Sequence, residues 1–339
     1  MNFLLFIIRK QKKNLMSKNS SPIIVVAGDP KSVFLELFFK CYKKFKRSPL
    51  ILIANEKLII EHLKILKKRA SIRILKYKNR INFKELDNKK INLINIPLNY
   101  KYLKKIKLKE CNNYINKRFK KALDLIKLNK KLHLINGPIE KKSFLGKKYL
   151  GITEYLGNNY GISDKVVMLI YNKKLSVSPL TTHIPLKKVH QNISKRKIVN
   201  HVEKIHKFYK KNLKKIPHIG LTGLNPHCES YSNTNEEDKI IKPAINFLLK
   251  KNYKISGPFS TDTIFLKKNL KKFDVIIGMY HDQVLAPLKT IYEFDAINIT
   301  LGLPFLRVSP DHGPNFKMFG KNISDETSLF RSIEFLENQ

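Results

Sequence analysis

Three cysteines, Cys41, Cys111 and Cys228, are all the chain has, and they follow no repeating pattern. So few thiols exclude a disulfide-stapled scaffold and suit a reducing, cytoplasmic setting. No apolar run approaches the roughly 18 residues that a membrane-spanning helix needs. Residues 3–8 are apolar, but their charges (Arg9, Lys10, Lys12 and Lys13) follow the run instead of preceding it. That order is the reverse of a secretory signal. Met16 is read as an alternative start, and residues 1–20 as an extension outside the fold. Internal repeats and a Pro/Ser linker are absent. So are the GxGxxG fingerprint of a Rossmann cofactor site and the HExxH pattern of a helical zinc site.

Acidic residues are also scarce, 26 against 67 Lys and Arg, for a formal charge of +41. Such an excess invites a nucleic-acid reading. The distribution argues against it. The lysines come as scattered pairs (43–44, 89–90, 120–121, 210–211, 267–268), with no arginine-rich stripe and no aromatic RNA-binding signature. A composition rich in Lys, Ile and Asn is what an AT-rich genome writes on a solvated surface, and its field draws in small anions. Neither nucleic acid nor membrane is expected as a partner. A basic nucleic-acid-binding protein on a degenerate enzyme scaffold stands as the alternative of another class.

What lysine avoids is more informative. Residues 273–316 contain only Lys289 and Arg307 as basic residues, and residues 175–186 and 216–238 contain none. Each of these islands carries a histidine beside turn-forming residues: His281, His183 and His227. Three buried strands whose ends happen to carry histidine would give this pattern. So would a metal site assembled from separate strand ends, because neutral imidazole binds zinc-like ions. In the first island the apolar run 275–277 ends at Gly278 and delivers Tyr280, His281, Asp282 and Gln283, as a buried parallel strand does at a sheet's carboxyl edge. Cys228, directly after His227, is a soft ligand, an oxidation-prone thiol or a plain small filler.

At 339 residues the chain can bury two domains or one large α/β unit. Pro22-Ile-Ile-Val-Val-Ala-Gly28 reads as a buried strand turning at Gly28-Asp-Pro30 into a helix over 32–46. Strands are predicted at 49–54, 72–75, 91–96 and 133–136, with helices at 56–68 and 110–128 between them. Further strands are expected at 166–171, 175–179, 218–222 and 296–300. Helices are expected at 192–213 (largely solvated), 236–251, 261–270 and 327–337. This alternation predicts an open, largely parallel sheet.

Motifs in order along the chain then carry a resemblance. They are Gly28-Asp-Pro30, Asn136-Gly-Pro-Ile139, Gly151-Ile-Thr-Glu154, Thr181-Thr-His-Ile-Pro185 and Gly223-Leu-Asn-Pro-His227. Gly257-Pro258 with Asp262-Thr263, Met279-Tyr-His-Asp-Gln283, Asn298-Ile-Thr-Leu-Gly-Leu-Pro304 and Asp311-His-Gly313 follow. Together they resemble the 4-hydroxythreonine-4-phosphate dehydrogenase family of pyridoxal phosphate (vitamin B6) biosynthesis, whose fold is similar to that of isocitrate and isopropylmalate dehydrogenases. The resemblance implies two α/β domains sharing a mixed, largely parallel sheet, with the active site in the cleft between them. Residues 21–135 plus 305–339 would form the cofactor-side domain, and 136–304 the domain for metal, substrate and dimer contacts.

By the same resemblance His183, His227 and His281 would be catalytic ligands of one divalent ion, zinc, magnesium or cobalt. Such an ion lowers the pKa of the substrate's C3 hydroxyl and polarises the ketone that follows. Loss of carbon dioxide would then yield 3-amino-2-oxopropyl phosphate. Thr153, Lys289, Asn298 and Arg307 match substrate-binding positions. For Lys289 and Arg307 the residues agree, since a phosphate and a carboxylate need charge-assisted donors; pairing with Asp282 or Asp311 is the structural alternative. Asp311, His312 and Gly313 resemble the loop that holds the adenine half of NAD or NADP. A homodimer with the active site at its interface is implied as well.

The chain departs from the family in three places. Many members have histidine where Ile152 stands, and isoleucine neither donates a hydrogen bond nor carries a proton. Another group takes that role, or the substrate is a different phosphorylated hydroxy acid such as threonate 4-phosphate. Lys31-Ser-Val-Phe34 replaces a small, glycine-containing segment after the opening turn, and Pro314-Asn315 differs from the usual pair after the His-Gly loop.

Overall fold

The computed structural model describes residues 21–76, 81–140, 144–146, 149, 151–162, 165–229 and 235–339. The expected extension at 1–20 lies outside them. In the first half of the chain β1 (Ile23–Val26), β2 (Leu50–Ala54), β3 (Ile72–Ile74), β4 (Ile91–Asn95) and β5 (His133–Asn136) alternate with helices. Those helices are α1 (Phe34–Cys41), α2 (Glu56–Ile65) and α3 (Leu108–Leu128). Every residue of β1 and β2 is buried, as strands covered by helices on both faces must be. Along α3 the buried residues Cys111, Tyr114, Ile115, Arg118, Phe119, Ala122 and Ile126 recur at helical spacing, and lysines fill the outer face.

The second half adds α4 (Ile152–Asn159), β6 (Val167–Tyr171), β7 (Ser176–Pro179), α5 (Lys195–Phe208) and β8 (Ile219–Thr222). It continues with α6 (Lys242–Lys250), β9 (Ile255–Phe259), β10 (Val275–Gly278), α7 (His281–Tyr292), β11 (Ile297–Leu301), β12 (Arg307–Pro310) and α8 (Thr327–Glu337). Among the described residues the twelve strands form one sheet, in the order β3-β4-β2-β1-β5-β12-β11-β6-β7-β10-β8-β9. Pairing is parallel except where β11 meets β12 and β6 and where β6 meets β7. The mixed, largely parallel sheet is the architecture expected.

Several predicted elements change shape. The helix expected at 192–213 starts at Lys195, where Ser194 accepts the Lys197 N–H as a cap, and it ends in a π-helical turn, Tyr209–Leu213. It is less solvated than its charge implied. Ile198, Val202, Ile205 and Phe208 form a buried stripe. The helix expected at 261–270 is two single turns, Thr261–Ile264 and Lys267–Leu270. Helices α4 and α7 and strands β9 and β12 were not expected, and α4, α7 and β12 build the site.

Candidate active site

Around the antiparallel seam between β12 and β11 a cleft of about 750 Å³ opens. It takes Asn136 to Glu140 from the end of β5, Gly151, Ile152 and Thr153 from the start of α4, and Met168 and Ile170 from β6. His183 enters from the turn after β7, and His281 and Lys289 from α7. Asn298 comes from β11, Arg307 from β12, and Asp311, His312 and Gly313 from the loop that follows. All the expected site residues except His227 therefore converge here.

Arg307 is 2 % exposed, and among the described residues it forms no ion pair. Its Nε donates to Asn136 Oδ1 and its Nη1 to Thr300 Oγ1, both at 2.8 Å. Thr300 Oγ1 lies 3.2 Å from Thr153 Oγ1. Burial pulls the guanidinium pKa down to about 10, with Glu154 acting in the opposite sense, so the group stays charged near neutral pH. A buried cation satisfied only by neutral acceptors is costly unless an anion completes it. Lys289 behaves differently, as the structural alternative anticipated. Its Nζ sits 2.5 Å from Asp311 Oδ2 and donates to the Asp311 carbonyl at 3.1 Å.

Two orphaned atoms border the same space. Asn298 Oδ1 and His312 Nε2 are buried without a hydrogen-bond partner among the described residues. Burial lowers the His312 pKa, and its Nδ1 lies 2.8 Å from the Gly313 carbonyl. A neutral ring donating from Nδ1 leaves Nε2 an acceptor. Beside it the opening turn is fixed by Asp29, whose Oδ1 accepts the Lys31 N–H and whose carbonyl accepts the Ser32 hydroxyl. Val33 N–H then donates to the Pro314 carbonyl, joining that turn to the His-Gly loop.

At the other end His183 and His281 face each other, with ring centroids 5.6 Å apart. Leu180 N–H donates to the Gly278 carbonyl, and Thr181 donates twice to the Met279 carbonyl, so the two histidine turns are stitched together. His281 Nδ1 lies 2.6 Å from Asp282 Oδ1. An ionised carboxylate there holds the proton on Nδ1 and frees Nε2 as a donor to a metal, the usual support of a metal-binding imidazole. Gly151 packs closely here: a Cβ would come within 2.8 Å of the Glu154 carboxylate, which could swing away, and 3.2 Å of the His183 ring.

His227 sits on a separate, exposed turn in a left-handed conformation (φ 54°). Buried Gln283 links this turn to the others. Its amide donates to the Gly223 carbonyl and Thr261 Oγ1, and its carbonyl accepts from Met279 N–H and Thr222 Oγ1. A residue grouped in the sequence with reactive neighbours is thus a fully satisfied structural hub. Among the described residues of one chain, no group of three His, Cys, Asp or Glu side chains could hold a metal ion. Two imidazoles fit the donor chemistry of a zinc-like ion; for such an ion a third donor would have to come from elsewhere.

Sequence reasoning missed the roles of Asn136 and Thr300. Both lie in quoted motifs, but their function depends on a partner, Arg307, that motif matching does not reveal. Ile152 is buried in an apolar cluster with Ile139, Leu145, Leu156 and Phe305, and it lines the cleft.

Comparison with known proteins places these features. The family described as pyridoxal phosphate biosynthetic protein PdxA matches residues 46–336. A 4-hydroxythreonine-4-phosphate dehydrogenase of Sulfurihydrogenibium sp. is 35% identical over 317 residues, 92% of this chain and 96% of that protein. The crystal structure of the Klebsiella pneumoniae protein of that name superposes with a TM-score of 0.76 at 26% identity, covering 94% of this chain and all (100%) of the other. Isocitrate dehydrogenase of Methylococcus capsulatus shares the fold alone, with a TM-score of 0.50 at 8% identity over 93% of this chain and 84% of its own.

Proposed function

The chain belongs to the pyridoxal phosphate biosynthetic protein PdxA family, and from that premise we propose that it oxidises and decarboxylates 4-phosphooxy-L-threonine to 3-amino-2-oxopropyl phosphate. It is an oxidoreductase of vitamin B6 biosynthesis. The observation that carries the substrate reading is Arg307, a buried charge whose hydrogen-bond partners are both neutral, opening into a cleft that also presents two imidazoles. A planar guanidinium offers paired donors to a carboxylate or phosphate.

In this reading Arg307 grips one anionic group, and Asn298 with Thr153 orients the carbon chain. Lys289 exchanges its Asp311 contact for the second anionic group. The loop Asp311-His312-Gly313 receives NAD or NADP, with neutral His312 Nε2 as an acceptor. His183 and His281 hold a divalent ion together with His227, which a second copy of the chain supplies across a homodimer interface. The nicotinamide, when bound, takes up hydride, and the metal polarises the reacting oxygen. The two α/β domains, 21–135 with 305–339 and 136–304, then meet at the β12–β11 seam.

Formation of NADH and NADPH with 4-phosphooxy-L-threonine and with D-threonate 4-phosphate, each with and without chelator, tests this. Chelator-sensitive turnover of the first acid is expected, with His281→Ala folded but inactive and depleted of metal. Turnover of threonate 4-phosphate alone would reassign the substrate, and Ile152 would be the first residue to examine. No turnover of either acid, together with tight, salt-sensitive DNA retention, would replace the reading with the nucleic-acid one.

A further inference from the structure

We propose that Asn136 and Thr300 are positioning residues that keep Arg307 an unneutralised cation aimed at the substrate, a role that requires both to be uncharged. The inference deepens the proposed function and rests on Arg307 holding a substrate anion. A guanidinium carries five N–H donors. Nε goes to Asn136 Oδ1 and one Nη1 hydrogen to Thr300 Oγ1, which leaves the rest of the fork for a ligand. Both partners are buried, Asn136 at 3 % and Thr300 at 2 % exposure.

The asparagine amide cannot turn over freely. Its Nδ2 donates to the Gly137 carbonyl at 3.1 Å, so Oδ1 is the atom presented to Arg307, and a flip would set two donors against each other. The threonine is fixed from its far side by Thr153 Oγ1 at 3.2 Å. The arginine is thus held at two points by oxygens that take its hydrogens without cancelling its charge. A carboxylate in place of the amide would fill the same space and accept the same hydrogen. It would also form a buried ion pair with which the substrate anion must compete. The sequence contains the contrasting case: Lys289, which does meet a carboxylate, has its charge matched by Asp311.

Steady-state kinetics of the full chain with 4-phosphooxy-L-threonine and NAD test the idea. Asn136→Asp should raise KM at least ten-fold while kcat falls by a smaller factor; its second carboxylate oxygen replaces the Nδ2 donor to the Gly137 carbonyl, so the melting temperature of the ligand-free protein is read alongside to confirm folding. Thr300→Val should raise KM several-fold, and Thr300→Ser, which restores the hydroxyl, should return it toward the parent. The Thr300 pair decides the question if Asn136→Asp fails to fold. A parental KM in folded Asn136→Asp, or in Thr300→Val, overturns the proposal. Arg307→Lys separates this from the premise: a parental KM there means that Arg307 does not hold the substrate, whereas a raised KM there with a parental KM in Asn136→Asp condemns only the positioning role.

Discussion

Glu237 offers a sharp test of how the isolated histidine turn is built. It lies in a π-helical turn, Glu237–Ile241, and is 0 % exposed, yet among the described residues it forms no ion pair. Its carboxylate is spent on the His227 turn. Oε1 accepts the backbone N–H groups of Leu224 at 2.7 Å and Asn225 at 2.9 Å, and Oε2 accepts Asn225 Nδ2 at 2.9 Å. Downstream, His227 and Cys228 both have left-handed backbone, φ 54° and 61°, a conformation that costs a side-chain-bearing residue about 1–2 kcal/mol. Glu237→Ala orphans two backbone donors, each worth about 1–3 kcal/mol. Water reaches the half-buried turn and recovers part of that, leaving a local loss of about 2–3 kcal/mol. Amide exchange at Leu224 and Asn225 should then accelerate by about 30-fold or more, and, on the ligand set proposed above, metal affinity should fall with it. Glu236→Ala is the control, since Glu236 touches only Asn225 Nδ2 in this turn. Parental exchange at Leu224 and Asn225 in Glu237→Ala would refute the clamp.

Two further outcomes follow from packing and burial. Gly28→Ala places a Cβ 1.9 Å from the Pro138 carbonyl oxygen and 2.7 Å from the Gly137 carbonyl carbon. Backbone cannot yield there, so a loss of about 3 kcal/mol or more is expected in thermal or urea melts, and a parental melting temperature would contradict the close β1–β5 apposition. Desolvation lowers His62 and His133 to about 4 and His201 to about 3. These folded-state values lie below the unfolded value, so unfolded chain takes up protons first. Stability is complete above about pH 6.5 and falls toward pH 4, by at most about 1.4 kcal/mol per unit for each ring. A flat unfolding free energy between about pH 7 and about pH 5 would show that these rings are not buried neutral.

The parallel sheet was legible because its strands are continuous apolar runs separated by amphipathic helices. Two of the lysine-poor islands, 175–186 and 273–316, marked the cleft for the same reason, since buried strand ends cannot carry a solvated ammonium, whereas 216–238 contributes no residue to it. What stayed hidden was of three kinds. Helix α7 begins at His281 and contains Pro287, a residue that reads as a helix breaker, although the chain beyond it remains helical. Strands β9 and β12 are short, β9 is interrupted by Gly257-Pro258 and β12 ends at Pro310, so their apolar pattern was too brief to stand out. Long-range partners were invisible altogether. Nothing local pairs Asn136 with Arg307, 171 positions away, or tells that Lys289 meets a carboxylate while Arg307 does not. His227 belongs here too: its motif was plain, but its separation from His183 and His281 is a matter of topology.

The charge of the chain divides along these lines. Surface lysines act through water, where charges more than about 8 Å apart are screened at physiological ionic strength. They raise the encounter rate of any small anion without choosing among anions. Selection needs a charge that water does not screen and a geometry that does not wander. Arg307 alone among the cleft's basic residues has both, because burial desolvates it and two neutral oxygens fix its plane. On the proposed reading, a chain can therefore carry an extreme net charge and still rest its recognition on one residue, provided that residue's hydrogen-bond partners are neutral.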